Sequence, residues 1–124
     1  MDKLYGKLPL QFIKLREKGI IRFVFTSEIV YCKADNNYTV IILNDQSKYT
    51  LCKTLKSYET ILGETFFRCH KTYLINLLYV KGINKKDHTL IMKNGTELPY
   101  SRAFAGIITE KLKRVLENST LPRN

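Results

Sequence analysis

A chain of 124 residues with 44% hydrophobic side chains can bury one working core, which argues against disordered, collagen-like and two-domain architectures. Its 21 Lys and Arg against 11 Asp and Glu leave a formal charge of +10, which favours a polyanionic partner, with nucleic acid ahead of a membrane surface. Runs without a charged residue, such as Thr72 to Val80, fall far short of the roughly 20 apolar residues of a membrane-spanning helix, and no secretory signal is evident, so the expected location is the cytoplasm.

Residues 1–10, with Gly6 and Pro9 among Leu4, Tyr5 and Leu8, read as a linker or arm. From Gln11 the period becomes two: Phe12, Lys14 and Arg16 share one face of an extended segment and Ile13 and Leu15 the other. Glu17-Lys18-Gly19 turns the chain into Ile20 to Phe25, which completes a hairpin. The hydroxyls of Thr26 and Ser27 can cap one short turn before the strand Ile29 to Ala34. Asp35-Asn36-Asn37 then forms a hairpin tip, because these residues tolerate left-handed backbone, and Tyr38 to Leu43 returns. Asn44-Asp45-Gln46 leads into Lys48 to Cys52. Leu55, Tyr58, Ile61 and Leu62 recur at helical spacing between Thr54 and Gly63.

Phe66 to Leu78 shows no clean period and reads as irregular. Val80 to Asn84, His88 to Met92 and Thr96 to Tyr100 read as three short strands, with Asn94-Gly95 expected in a type I′ turn. Beyond Pro99, Phe104, Ile107, Ile108, Leu112, Val115 and Leu116 share one face of an amphipathic helix with Ser101 as its cap, and 119–124 read as a flexible tail. The sum is a mainly β domain, 11–118, with one short internal helix and a helix at the end.

Little in the chain resembles an enzyme. Cys69 and His70 are adjacent, but neighbours on an extended chain face opposite ways. No catalytic residue, metal cluster or phosphate-binding glycine loop is expected, and no cofactor. Cys32, Cys52 and Cys69 are odd in number, widely spaced and set in apolar runs, so all three read as buried reduced thiols. Polar residues instead gather at three places. Arg68, His70 and Lys71 lie between apolar anchors, Asn36 and Asn37 crown a hairpin, and Ser101-Arg102 stands where the last strand enters the helix. Lys and Arg can meet phosphate or guanine, and Asn can bond adenine with two hydrogen bonds. A cation at a helix N-terminus is unfavourable, so Arg102 is better explained by an anionic partner than by helix stability. The eight tyrosines suggest an alternative, a single-stranded nucleic-acid platform, although Tyr31, Tyr38, Tyr49, Tyr58 and Tyr100 fit the packing of strands and helix.

Tyr31-Cys32-Lys33-Ala34-Asp35-Asn36-Asn37-Tyr38-Thr39, Thr54-Leu55, Phe66-Phe67-Arg68-Cys69-His70-Lys71-Thr72-Tyr73-Leu74-Ile75-Asn76 and Leu98-Pro99-Tyr100-Ser101-Arg102 resemble, in order and spacing, the successive signatures of the LytTR DNA-binding domain, over roughly Gln11 to Leu116. The resemblance implies an elongated stack of short antiparallel sheets, found in bacterial response regulators. It further implies that loops, rather than a recognition helix, enter successive major grooves of duplex DNA. The matching positions are Asn36 or Asn37, His70 with Lys71, and Arg102. Lys33 stands where the family usually has a carboxylate and adds positive charge near the hairpin tip. The family's usual receiver domain has no space in 124 residues. A stand-alone regulator is therefore expected, or an effector domain whose receiver or sensor kinase lies outside this chain. The apolar face of the last helix caps the sheets or serves a second subunit, as in a homodimer on DNA repeats.

Overall fold

A computed structural model describes residues 11–117; the segments expected as an arm (1–10) and a tail (119–124) lie outside the described residues. Strands β1 (Phe12–Glu17) and β2 (Ile20–Phe25) form a two-stranded sheet. Lys18 and Gly19 both take positive φ, 52° and 80°, the pair that gives a two-residue turn the twist of its strands. A 3-10 turn, Thr26–Glu28, follows; its hydroxyls make no capping bond, contrary to expectation.

A five-stranded antiparallel sheet comes next, ordered β5-β4-β3-β7-β6, from β3 (Ile29–Asp35), β4 (Tyr38–Leu43), β5 (Lys48–Leu51), β6 (Phe66–His70) and β7 (Tyr73–Asn76). Between β5 and β6 lies helix α1 (Leu55–Leu62), started by Thr54, whose Oγ1 accepts from Ser57 N–H at 3.3 Å, and stopped by Gly63 at φ 84°. After a 3-10 turn, Leu77–Tyr79, strands β8 (Val80–Asn84), β9 (Thr89–Met92) and β10 (Glu97–Pro99) build a three-stranded sheet. A last 3-10 turn, Arg102–Phe104, opens into helix α2 (Ala105–Glu117).

The large sheet is the middle layer. On one side Ile29, Cys32, Ile41 and Leu74 pack with Leu15 and Val24 of the hairpin and Leu55, Tyr58 and Leu62 of α1. On the other, Val30, Cys69 and Ile75 pack with Leu90, Met92 and Leu98 of the small sheet and Ile108 of α2. The expected stack of short sheets is thus present, and two cores explain the one segment whose secondary structure differs from expectation. Phe66 to Leu78 is not irregular: it is β6, β7 and the start of a 3-10 turn. Strand β7 is buried on both faces, with Leu74 in one core and Ile75 in the other, so it shows no alternation. A bulge between Arg68 and His70 breaks the period of β6 as well.

Smaller departures have local causes. Asn94-Gly95 does not form a type I′ turn. Gly95 alone takes positive φ, 91°, and donates to Met92 O at 2.8 Å, while Met92 N–H donates to Thr96 O at 2.8 Å, which makes a three-residue loop. Ser101 precedes the final 3-10 turn without a side-chain cap. Ile107 and Leu116 are exposed, so the buried stripe of α2 is narrower than its apolar pattern. Cys52 is exposed just past the end of β5, unlike the buried Cys32 and Cys69.

The β4–β5 loop closes like the one at Gly95, with Gln46 N–H donating to Leu43 O at 2.9 Å, but there the positive φ of 73° falls on Gln46. A left-handed backbone costs a residue with a Cβ about 1 to 2 kcal/mol, and glycine gives back about 0.4 to 1 kcal/mol through the unfolded chain. Gln46→Gly is therefore expected to stabilise the fold by roughly 0.5 to 1 kcal/mol, read as a higher urea midpoint; a lower midpoint would mean that the glutamine side chain holds the loop.

Candidate nucleic-acid interface

Each candidate side chain sits at or beside a chain reversal. Asp35 pairs with Tyr38 across a two-residue tip, Asn36 at φ 57° and Asn37, both exposed. Asparagine accepts that backbone at little cost, so the tip keeps two amides in solvent without strain. Tyr38, assigned from its pattern to strand packing, is nearly half exposed beside them. Lys33 lies exposed on β3, across from Val40 on one side and Tyr73 on the other.

The second reversal, Lys71-Thr72, is held from beneath. Arg68 Nη2 donates to Lys71 O at 2.6 Å and its Nη1 meets Glu59 Oε1 of α1 at 3.3 Å. His70 Nδ1 accepts from Thr72 N–H at 3.1 Å, so the neutral ring carries its proton on Nε2 and has a donor left over. Arg68 therefore braces the turn, and Lys71 is exposed with its carbonyl clamped. At the third place, Arg102 begins the 3-10 turn, three residues ahead of α2. It is exposed, and the expected placement at the helix N-terminus proper is corrected accordingly.

Backbone hydrogen bonds tie these places one to the next. Ala34 N–H donates to Thr72 O at 2.8 Å, joining the strand below the Asn36 tip to the Lys71 turn. Ser101 N–H donates to Cys69 O at 2.8 Å, joining that turn's strand to the Arg102 turn. Lys71, His70 and Ser101 line one cleft, to which α2 adds Lys111. Tyr100 N–H donates to His88 O at 3.1 Å and the two rings meet at 5.8 Å, which adds the β8–β9 reversal to the row. Lys85, His88 and Arg102 line a second concavity of about 320 Å³.

That fourth reversal was not singled out from sequence. Asn84 Oδ1 accepts from the N–H groups of Lys86 and Asp87 at 3.1 and 3.0 Å, which rigidifies the turn, and His88 takes φ 57°. Two adjacent lysines in a four-residue reversal were its only signal, and such a pair ordinarily marks a solvated turn. What aligns it with Arg102 is a backbone bond between His88 and Tyr100, residues that flank different strands.

The Cys69–His70 pair is not assembled as a nucleophile and base. Cys69 Sγ lies 3.5 Å from Pro99 O in the core, burial pushes its thiol up to about 12, and His70 is engaged with Thr72. Burial likewise pushes Cys32 up to about 12. Both thiols titrate near 9 when exposed, so their contribution to stability is whole below about pH 9 and is lost as pH rises from 9 toward 12, where the unfolded chain sheds protons first. In the native protein iodoacetamide is expected to label Cys52 alone, with Cys32 and Cys69 following only on unfolding or strong alkali. Labelling of Cys69 as fast as Cys52 at neutral pH would contradict its burial. Among the described residues no group of three His, Cys, Asp or Glu could hold a metal ion, and no helix is long and apolar enough to cross a membrane.

Comparison with known proteins points the same way. A profile of the LytTr DNA-binding domain matches residues 19–113. The sensory transduction protein LytT of Bacillus subtilis strain 168 is 32% identical over 100 residues, which are 77% of this chain and 39% of that protein. The chain thus spans about two-fifths of that relative. Among solved structures, the LytTr DNA-binding domain of a Bacillus cereus protein described as a methyl-accepting/DNA response regulator superposes with a TM-score of 0.70 at 25% identity. It covers 82% of this chain and 95% of its own.

Proposed function

From the premise that this chain belongs to the LytTr DNA-binding domain family, we propose that it binds specific duplex DNA through a row of loops, as the output domain of a cytoplasmic bacterial transcription regulator. The carrying observation is the succession of backbone bonds between separate segments of the chain, Ala34 to Thr72, Cys69 to Ser101 and His88 to Tyr100. These bonds put the reversals that bear Asn36, Lys71, Arg102 and Lys85 in consecutive order. Loops fixed to strands at both ends keep their spacing, which a regularly spaced duplex demands.

Division of labour follows from chemistry. Lys71, Lys85 and Lys33 suit phosphates, which position the protein, while Arg102, Asn36, Asn37 and the Nε2–H of His70 suit base edges in a major groove. Arg68 and Ser101 serve these groups indirectly, Arg68 through the Lys71 carbonyl and Ser101 through Cys69. Signal input, by a receiver domain or another device, is assigned to sequence outside this chain, as suits a relative whose own name is that of a sensory transduction protein.

A gel-shift competition tests the reading. Unlabelled duplex should displace labelled duplex, and the same sequence as a single strand should not; equal competition would replace the duplex reading with a single-strand one. Arg102→Ala is expected to cost about 1 to 3 kcal/mol and to relax the preference at one base position. Lys71→Ala should weaken all duplexes alike and lower the salt slope by about 1. Wild-type affinity in both variants would remove these two residues from the interface.

A further inference from the structure

The outer face of the β1–β2 hairpin is a feature that duplex binding leaves unused. The register puts Phe12 opposite Phe25, Lys14 opposite Phe23 and Arg16 opposite Ile21, so these six side chains share one face, and all six are exposed. Phe23 is 63% and Phe12 55% exposed, although the opposite face of the same two strands buries Leu15 and Val24 completely. Four large apolar groups on one face of a two-stranded sheet, with Phe12 meeting both Phe23 and Phe25, exceed the scattered exposure of an ordinary surface, and patches of this kind mark interaction sites.

Chemistry narrows the occupant. Among the described residues Lys14 and Arg16 are the charged groups that the register puts on this face, with no carboxylate beside them. A second copy would bring the same two cations and a further +10, so self-association is disfavoured. Successive nucleic-acid bases need parallel aromatic platforms, but Phe12 meets Phe23 at 81° and Phe25 at 88°, edge to face. What fits is an extended polypeptide that carries both apolar side chains and carboxylates on one face, at every second position, laid along the sheet so that its acids reach Lys14 and Arg16.

We propose that the Phe12, Phe23, Phe25 and Ile21 face docks such an acidic, apolar segment of a partner protein. The hairpin sits at the opposite end of the five-stranded sheet order from Lys71: Arg22 of β2 lies over Tyr49 of β5, one edge strand, while the Lys71 turn joins β6, the other edge, to β7. Partner and duplex can therefore be held together.

The test uses the full chain, isotope-labelled for NMR, and two synthetic strand peptides with threonine at every second position, the positions between alternating valine with glutamate in one peptide and valine with lysine in the other. The glutamate peptide should shift the amides of residues 12–17 and 20–25, and the lysine peptide should not. Phe23→Ser and Lys14→Glu, two exposed positions whose change leaves the core intact, should each weaken the peptide by about tenfold, the scale of an anchor residue, with duplex binding unaltered. Shifts elsewhere, equal binding of both peptides or no binding by the wild-type chain would overturn the proposal. So would a wild-type dimer abolished by Phe23→Ser, or preferential binding to anionic phosphatidylglycerol vesicles. Peptide binding is measured without DNA, so its failure is separate from a failure of the duplex reading.

Discussion

Raising monovalent salt from about 50 to about 200 mM is expected to lower duplex affinity by roughly 10³ to 10⁵ if six to ten phosphates are engaged. The basis is the +10 charge together with its distribution. Lys33, Lys71, Lys85, Lys86 and Arg102 are spread over β3 and three successive reversals, which carry fewer carboxylates, Asp87 among them, and Glu59 is taken by Arg68. Each phosphate neutralised releases condensed counterions, so the logarithm of affinity falls linearly with the logarithm of salt at a slope of about −0.9 per contact. The measurement is a fluorescence-anisotropy titration at several salt concentrations. A slope near zero would mean that the basic residues do not face the duplex.

Asn76→Ala is expected to destabilise the domain by about 2 to 4 kcal/mol, a fall in Tm on the order of 10 °C, without any role for Asn76 at the DNA. Asn76 is 1% exposed at the end of β7. Its Nδ2 donates to Ile29 O at 2.9 Å, where a bulge in β3 interrupts the regular ladder, and its Oδ1 accepts from Leu78 N–H at 3.0 Å. One side chain thus completes the backbone hydrogen bonding of two elements, one of them 47 residues away from it in sequence. Alanine would leave a buried carbonyl and a part-buried N–H unpaired, at about 1 to 3 kcal/mol for the carbonyl and less for the N–H, which water can reach in part. Thermal unfolding of the variant measures this; an unchanged Tm would show that water reaches the site and replaces the amide.

Asn76 also shows what is readable in a chain like this. Features decided within a few residues were legible: the Lys18-Gly19 turn, the Asn36-Asn37 tip, and the helix framed by Thr54 and Gly63. The hairpin face of Phe12, Lys14 and Arg16 was legible too, because one side of that sheet meets solvent and the period of two survives. Strands β6 and β7 lost that signal, since one lies between two cores and the other is bulged. Arg68 carries the same lesson for function. Its residue type suits phosphate, and only its position under the Lys71 carbonyl makes it a support. Lys85 and His88 were invisible for the complementary reason: their place beside Arg102 depends on the pairing of Tyr100 with His88, which no local pattern encodes.

The central claim is that these reversals share one duplex. Selection of bound duplexes from a random pool, followed by an NMR titration of the labelled chain with the selected site, tests it most directly. The account predicts that the largest amide shifts fall together at 36–38, 70–72, 85–88 and 101–103, while 12–17 and 20–25 stay unmoved. Shifts confined to one of these reversals, or centred on the β1–β2 hairpin, would contradict it.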